Sequence, residues 1–380
     1  MSWEECSVED RRRECVGLAG TEGANLSALA SRFGVSRKTL YKWKSRAAGG
    51  EAPWWEDRSR RPHTSPARVS DELEQAVLEV REAHPMWGAR KILHVLESSG
   101  RDLKLAAAST VCAILRRHGK IAAEESAKRR EFVHFEHEAP NDVWQMDYKG
   151  DFSTRGGRCH PLTIVDDHSR YAVAVRALRD ESSEVTREAM IDVFHCYGLP
   201  RSVLVDNGSC WGRKEGYYSD FALWLVRLGI DIIYSRPRHP QTRGKNERFN
   251  RTLKEEVIQG RLFANFVECQ REFDAFRRVY NTVRPHEALA MAVPASRYRL
   301  SERPYPHRLA SPEYLSSDTI VRVRASGLIV VDKERYHLGQ ALRGERVALR
   351  PTEVDGIYDV YYYRRRIGVI NRMHKQCYLR

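Results

Sequence analysis

The sequence has no apolar run of about 18 residues, so none of it is long enough to cross a bilayer as a helix. Its first fifteen residues, MSWEECSVEDRRREC, are charged and lack the apolar core of a signal peptide. The eight cysteines include no Cys-x-x-Cys pair, and none stands with histidines at finger-like spacing. That excludes the usual structural zinc modules. The adjacent pairs Cys159–His160 and His195–Cys196 read as incidental. Scattered thiols fit a reducing compartment, and a soluble intracellular protein is expected. No internal repeat stands out. Acidic charge is also short: 51 Asp and Glu face 64 Lys and Arg, a net charge of +13. Such a surplus attracts polyanions, nucleic acid first among them. The surplus is localised. Residues 11–50 carry nine basic and two acidic side chains, and residues 361–380 carry six basic and none acidic.

What is present is enough apolar material, 42% of residues, to build real cores and to exclude wholesale disorder. A chain of 380 residues suits about two to four domains. Residues 11–47 read as a small helical domain. A first helix covers Arg11–Leu18. A second carries Leu26, Leu29, Ala30 and Phe33 at helical spacing, capped by Asn25 or Ser27. Gly34 breaks it, and Ser36 caps the basic segment Arg37-Lys-Thr-Leu-Tyr-Lys-Trp-Lys44. Helix, glycine turn and basic helix is the helix-turn-helix plan, whose second helix enters the major groove. Ser36, Arg37, Lys38, Thr39, Tyr41, Lys42 and Lys44 are the expected DNA contacts, while Leu40 and Trp43 keep an apolar stripe.

Gly49, Gly50, Pro53, Pro62 and Pro66 mark residues 48–70 as a linker. Residues 71–119 read as a second helix-turn-helix unit of three helices, the last capped by Ser109 or Thr110. Residues 120–140 are a charged connecting arm. From residue 141 the texture changes to short apolar strands, then to helices alternating with strands, through residue 300. That order implies a mixed sheet flanked by helices. Residues 316–380 hold short strands punctuated by Gly327, Gly339, Gly344 and Gly356, at the spacing of a small β-barrel.

Three carboxylates fall where strands end or a helix begins. Asp147 lies in the first core strand. Asp206 ends a buried strand before an Asn-Gly turn. Glu247 opens a helix after a loop rich in Pro and Gly. Carboxylates gathered at one place repel one another, and divalent cations relieve that repulsion. Oxygen-only ligation suits magnesium or manganese. On the helix of Glu247, Phe249, Leu253 and Val257 form a core face, while Glu247, Arg251 and Lys254 fall on another. Arg243, Lys245 and Arg248 add charge for DNA phosphates.

The motifs are Trp144-Gln-Met-Asp147-Tyr, Val165-Asp-Asp-His-Ser-Arg170, Leu204-Val-Asp206-Asn-Gly-Ser, and Ser235-Arg-Pro-Arg-His-Pro-Gln-Thr-Arg-Gly-Lys-Asn-Glu247-Arg-Phe-Asn-Arg-Thr-Leu-Lys254. Together they resemble bacterial insertion-sequence transposases of the DDE superfamily, with a retroviral-integrase-type catalytic core. The resemblance runs the length of the chain: helix-turn-helix units, a ribonuclease H-like core, a C-terminal barrel. It implies that Asp147, Asp206 and Glu247 are catalytic and hold two divalent metal ions, magnesium with manganese as substitute. Asp147 would bridge both ions. It further implies double-stranded DNA as partner, both element ends and target, a homo-oligomer on paired ends, and a place in the bacterial cytosol at the nucleoid. Forty residues separate Asp206 from Glu247, more than in many relatives; the excess is expected as a surface loop at Trp211–Tyr218. The zinc-binding His/Cys module of retroviral integrases is missing.

The remaining candidates read as structural. Asp166 and Asp167 mark a strand end and turn, Glu255 and Glu256 a surface, Trp87 and Trp144 packing anchors. His239 is balanced between DNA contact and loop packing. Two rival classes stand beside the transposase: a catalytically inactive DNA-binding regulator of transposition, and a nuclease for RNA–DNA hybrids. Two DNA-reading units argue against the nuclease.

Overall fold

The computed structural model describes residues 7–50, 53–57, 69–121, 137–212, 217–235 and 244–379. It divides into two compact units, residues 1–68 and 69–380. In the first, α1 (Val8–Ala19), α2 (Leu26–Arg32) and α3 (Arg37–Ala48) close over Cys15, Ala19, Ala30 and Leu40. Each helix starts where the sequence supplies a cap: Ser7, Asn25 and Ser36 accept backbone amides of the first turn. Gly34 takes the left-handed conformation (φ 64°) that a tight turn between α2 and α3 requires. The expected linker is more structured than its composition implies. Arg12 donates to the Trp55 carbonyl at 2.8 Å, and the Arg13 guanidinium lies 3.9 Å from the Trp55 ring, so residues 53–57 fold back onto α1.

In the second unit, α4 (Asp71–Ala83), α5 (Ala89–Ser98) and α6 (Ala108–Arg117) bury Leu73, Val77, Trp87, Ile92, Leu96, Val111, Ile114 and Leu115. Ala107, not Ser109 or Thr110, stands at the N-cap of α6, and no side chain caps it. The helix begins earlier than the hydroxyl residues suggested: Ala108, a good helix former, takes the first helical position. Of the connecting arm, residues 122–136 lie outside the described residues.

The core sheet runs β1 (Val143–Tyr148), β2 (Phe152–Thr154), β3 (Gly157–Asp166), β4 (Ala172–Leu178), β5 (Ser202–Val205) and β6 (Asp231–Tyr234). Its order is β2-β3-β1-β5-β6, with β4 also on β3. The first strands pair antiparallel, whereas β1, β5 and β6 run parallel. This is a mixed sheet flanked by helices, as the order of elements implies. Strand alternation sorts side chains between two layers. Trp144, Met146, Leu162, Ile164 and Val173 meet α7 (Ser183–Tyr197) and α8 (Asp220–Arg227) in one core. Cys159, Val165, Ala172 and Val175 meet α9 (Gly244–Leu253) and α10 (Phe266–Thr282) in the other.

The C-terminal strands are β7 (Thr319–Arg322), β8 (Leu328–Val331), β9 (Glu334–His337), β10 (Arg346–Pro351), β11 (Ile357–Tyr362), β12 (Arg365–Asn371) and β13 (Gln376–Leu379). Turn spacing predicts a barrel, but the ladder is open. Five strands form the sheet β13-β12-β11-β10-β7, and β8 and β9 stand as a separate hairpin. Among the described residues no ladder joins β7 to β13. The core explains why closure is unnecessary. Val347, Leu349, Val360, Tyr362, Ile367 and Ile370 are buried in the same cluster as α7 and α8, so the sheet covers its apolar face on the domain of the mixed sheet. Arg365 fixes the seam with a 3.0 Å bond to the Ile232 carbonyl. Among the described residues no helix is long and apolar enough to cross a membrane.

Candidate functional site

The β1–β5 ladder pairs Val143 with Ser202, Trp144 with Val203 and Gln145 with Leu204. Two residues further along both strands stand Asp147 and Asp206. Parallel pairing therefore places these aspartates side by side, at the carboxyl ends of neighbouring strands. Trp144 and Met146 point into the α7–α8 core, so alternation turns Gln145 and Asp147 toward α9. Hydrogen bonds follow that direction. Asn250 Nδ2 donates to Asp147 Oδ2 at 2.9 Å. Asn246 N donates to Gln145 Oε1 at 3.2 Å, and Thr163 Oγ1 lies 3.1 Å from Asn246 Oδ1. Glu247 precedes Asn250 by one helical turn and is exposed, as are Arg248, Arg251 and Lys254. The opposite face of the helix is sunk in the core through Phe249, Leu253 and, in the π-turn that follows, Val257.

Asp206 is held by its own turn: Gly208 N donates to its Oδ1 at 2.9 Å. A Cβ at position 208 would stand 2.9 Å from that oxygen, so glycine keeps the carboxylate uncrowded. Behind the strand ends, Tyr148 Oη and Thr186 Oγ1 are 2.6 Å apart, and Thr186 also reaches Cys210 Sγ at 3.2 Å. Burial pushes the Cys210 thiol up to about 11, which keeps it neutral.

The start of α9 is clamped. Lys245 Nζ bonds Asp167 Oδ2 at 2.5 Å and the Asp167 carbonyl at 3.0 Å. Gln145 Nε2 and His137 N supply two further bonds to the same carboxylate, at 2.7 and 3.0 Å. Burial raises the Asp167 pKa, but the Lys245 ammonium and these hydrogen bonds outweigh it and hold the group below the ordinary aspartate value. Asp166 accepts from Asn141 N at 2.7 Å and from Ser169 N at 2.8 Å. Both acids are thus strand-end and turn residues, as their sequence position implies. Trp87 and Trp144 are buried anchors. Two surface expectations give way. Glu256 is partly buried and paired with Arg284, since it lies three residues past Leu253 and seven past Phe249, on the buried side of the helix. Trp211 and Tyr218, the ends of the expected surface loop, are buried in the α7–α8 core, and residues 213–216 between them lie outside the described residues.

The structure ties Asp147 to α9 through Asn250 and sets Asp206 at the end of the neighbouring strand, but it does not gather a finished metal cage. Among the described residues, no group of three or more His, Cys, Asp or Glu stands at metal-holding spacing. The donor chemistry still suits a hard divalent cation, being oxygen throughout. One further observation fits. Asn250 Oδ1, on the side chain that holds Asp147, is buried without a hydrogen-bond partner. A buried orphan oxygen beside a carboxylate is a group that a cation would satisfy.

On α3, Arg37, Lys38, Tyr41 and Lys42 share one exposed face. Ser36 and Thr39 are engaged with each other in the cap at 2.8 Å. Lys44 Nζ donates to the Ala19 carbonyl at 2.9 Å. Lys245 is turned inward onto Asp167, while Arg243 and His239 lie outside the described residues. Sequence reasoning missed Asn246 and Asn250, the two amides that seat α9 on β1. It also missed Lys149, whose ammonium is depressed by burial and by neighbouring Lys254. A signal existed for Lys149, since it follows Asp147 by two residues and so shares its strand face.

Comparison with known proteins gives this arrangement its family. Residues 137–240 and 228–294 each match an integrase core domain. Residues 318–377 match the C-terminal domain of IS481 family transposases. Residues 11–63 match a helix-turn-helix domain and residues 39–115 a homeodomain-like domain. These matches give the chain an integrase core domain and a C-terminal domain like that of IS481 family transposases. The chain is 30% identical over 157 residues to an uncharacterized 39.2 kDa protein of insertion element IS476 from Xanthomonas euvesicatoria, covering 41% of this chain and 44% of that one. It is 26% identical to an IS407 protein of Burkholderia multivorans, covering 41% and 55%. A segment is 32% identical over 124 residues to the Gag-Pol polyprotein of avian reticuloendotheliosis virus, covering 33% of this chain and 10% of the polyprotein. The chain spans about half the length of the insertion-element relatives it matches. Among solved structures, it is similar at 16% identity and a TM-score of 0.32 to an HTLV-2 integrase catalytic core domain, covering 42% of this chain and 98% of that one.

Proposed function

We propose that this protein is a DNA transposase that binds the terminal inverted repeats of a mobile element, cleaves their 3′ ends and joins them to target DNA. The observation that carries the reading is the parallel register of β1 on β5, which continued by two residues sets Asp147 level with Asp206, with the helix of Glu247 tied to Asp147 through Asn250. Asp147, Asp206 and Glu247 would hold two magnesium ions, which when bound activate an oxygen nucleophile and stabilise the oxygen that leaves. In cleavage, water oxygen attacks the scissile phosphorus, the P–O3′ bond breaks, and the proton passes to the free 3′-hydroxyl. In joining, that 3′-oxygen attacks a target phosphodiester, and a target 3′-hydroxyl leaves in exchange.

This chain's own residues orient and position. Asn250 fixes the Asp147 carboxylate, Gly208 fixes that of Asp206, and the Lys245–Asp167 pair sets where α9 begins. Arg248, Arg251 and Lys254, joined by Lys149, meet DNA phosphates. Arg37, Lys38, Tyr41 and Lys42 on α3 read the element end from the major groove. Joining two ends to one target implies a homo-oligomer on paired DNA.

Strand transfer with the purified protein tests the reading. Labelled duplex carrying the repeats that flank its gene is supplied with magnesium, manganese or EDTA. Metal-dependent joined products that drop by about 1,000-fold or more in Glu247→Gln, with end binding retained, are expected. Specific binding with no cleavage under either metal would instead assign the protein to the regulators of transposition.

A further inference from the structure

The β1–β5 ladder stops short of the two aspartates. Its last pair is Gln145 with Leu204, so Asp147 and Asp206 stand beyond the backbone pairing that joins their strands. Each strand end is secured on its outer side. Lys149 N donates to the Pro161 carbonyl at 3.0 Å, which ties the end of β1 to β3, and Ser235 N donates to the Val205 carbonyl at 2.9 Å, which ties the end of β5 to β6. Side chains bridge the gap between them. Tyr148, next to Asp147, alternates to the other face of β1 and packs on the α7–α8 core. Its Oη lies 2.6 Å from Thr186 Oγ1 on α7. Cys210, in the short helical turn Ser209–Trp211 just past Asp206, brings its Sγ to 3.2 Å from the same oxygen. The Thr186 hydroxyl donates to the Ser182 carbonyl at 2.6 Å. With its proton committed there, Thr186 Oγ1 accepts from both the Tyr148 phenol and the Cys210 thiol, two donors for two lone pairs. The Cys210 turn is held from behind as well, by Ser219 Oγ on the Cys210 carbonyl at 2.6 Å and Tyr234 Oη on the Trp211 carbonyl at 2.9 Å. Thr186 and Cys210 are buried, so water does not replace a bond lost between them.

We propose that Thr186, by joining Tyr148 to Cys210, sets the spacing of the Asp147 and Asp206 carboxylates and so the affinity of their site for divalent cations. All three are positioning residues. Each acts through the strand end or turn that carries an aspartate, and none touches the metal or the DNA. The proposal rests on the transposase reading, which supplies the metal site.

Binding of Mn2+ to the full chain is measured by electron paramagnetic resonance, with Glu247→Gln as the variant that removes a metal ligand. Duplex binding, measured beside it, reports whether the fold is retained. Thr186→Val, which keeps the shape and removes the shared acceptor, is expected to lower Mn2+ affinity by about 10-fold with duplex binding unchanged. Tyr148→Phe and Cys210→Ala should each give a smaller loss, and the two together should match Thr186→Val. Cys210→Ser, which keeps a donor, should restore wild-type affinity. Wild-type Mn2+ affinity in Thr186→Val and Tyr148→Phe would overturn the positioning role and leave the metal site standing. Equal losses in Cys210→Ser and Cys210→Ala would remove Cys210 from the network and overturn the bridge. Loss of duplex binding along with Mn2+ binding in Tyr148→Phe would also overturn it, since the network would then serve the fold alone. Wild-type Mn2+ binding that is absent, or untouched by Glu247→Gln, would overturn the metal-site reading and the proposal with it.

Discussion

Two three-helix units with the same expected plan have been built to different ends. The first, α1–α3, closes over four buried residues, the largest of them Leu40, and keeps its last helix basic and exposed. The second, α4–α6, buries ten residues around Trp87 and takes Val279 of the core helix α10 against its apolar surface. The first is a compact unit by itself, while the second belongs to the compact unit of the integrase-type core. A thin core suffices for a unit whose task lies on its surface. A unit that must hold a fixed place on a neighbouring domain needs an apolar seam as well as its own interior. A helix-turn-helix pattern therefore does not settle whether a unit stands alone or braces the domain beside it.

Four experiments press on that contrast. Deleting residues 1–50 is expected to lower specific binding of element ends by about 1,000-fold or more and leave non-specific binding in place. Unchanged footprints on the ends would move sequence reading to α4–α6. Next in size, Trp87→Ala should cost about 3–5 kcal/mol, since the ring is buried and stacks on His84 at 3.7 Å. Calorimetry should show the transition of residues 69–380 moving and that of residues 1–68 staying.

Asp167→Asn should cost about 3 kcal/mol at neutral pH by leaving Lys245 half-buried and unpaired. The folded-state pKa of Asp167 is depressed, so its contribution is present above the ordinary aspartate range and is lost as pH falls through the depressed value. The gap between variant and parent in denaturant titrations should therefore begin to narrow as pH falls below about 4 and keep narrowing with further acid. A gap that did not narrow at all on acidification would contradict the ion-pair account. Smallest of the four, Ser36→Ala should cost about 1 kcal/mol through loss of the α3 cap, and only in the first transition. A shift of the second transition by this variant would mean that the two units do not melt separately.

Much of this was legible in the chain itself. Ser36 and Asn25 capped the helices that their positions implied. Phe249, Leu253 and Val257 proved to be one buried face, and the Asp206-Asn-Gly segment proved to be the turn at a strand end. These features are local: a cap needs three residues, a face needs two turns, and a turn needs a glycine in the right place. The misreadings share the opposite character. Glu256 looked like a surface acid because its partner, Arg284, comes 28 residues later in the chain. The C-terminal strands looked like a closed barrel because turn spacing counts strands without saying what covers them. Lys245 looked like a phosphate ligand until its place beside Asp167, 78 residues earlier in the chain, was seen.

Residue order alone fixed where elements start and stop, which faces are apolar, and which three acids stand at strand or helix ends, since short-range periodicity and capping encode these. Only the tertiary structure decided that parallel pairing sets Asp147 beside Asp206, that Asn246 and Asn250 seat the helix of Glu247 on β1, and that α4–α6 is braced against the core. Those outcomes depend on register between distant strands and on burial of side chains far apart in sequence, which no local pattern carries.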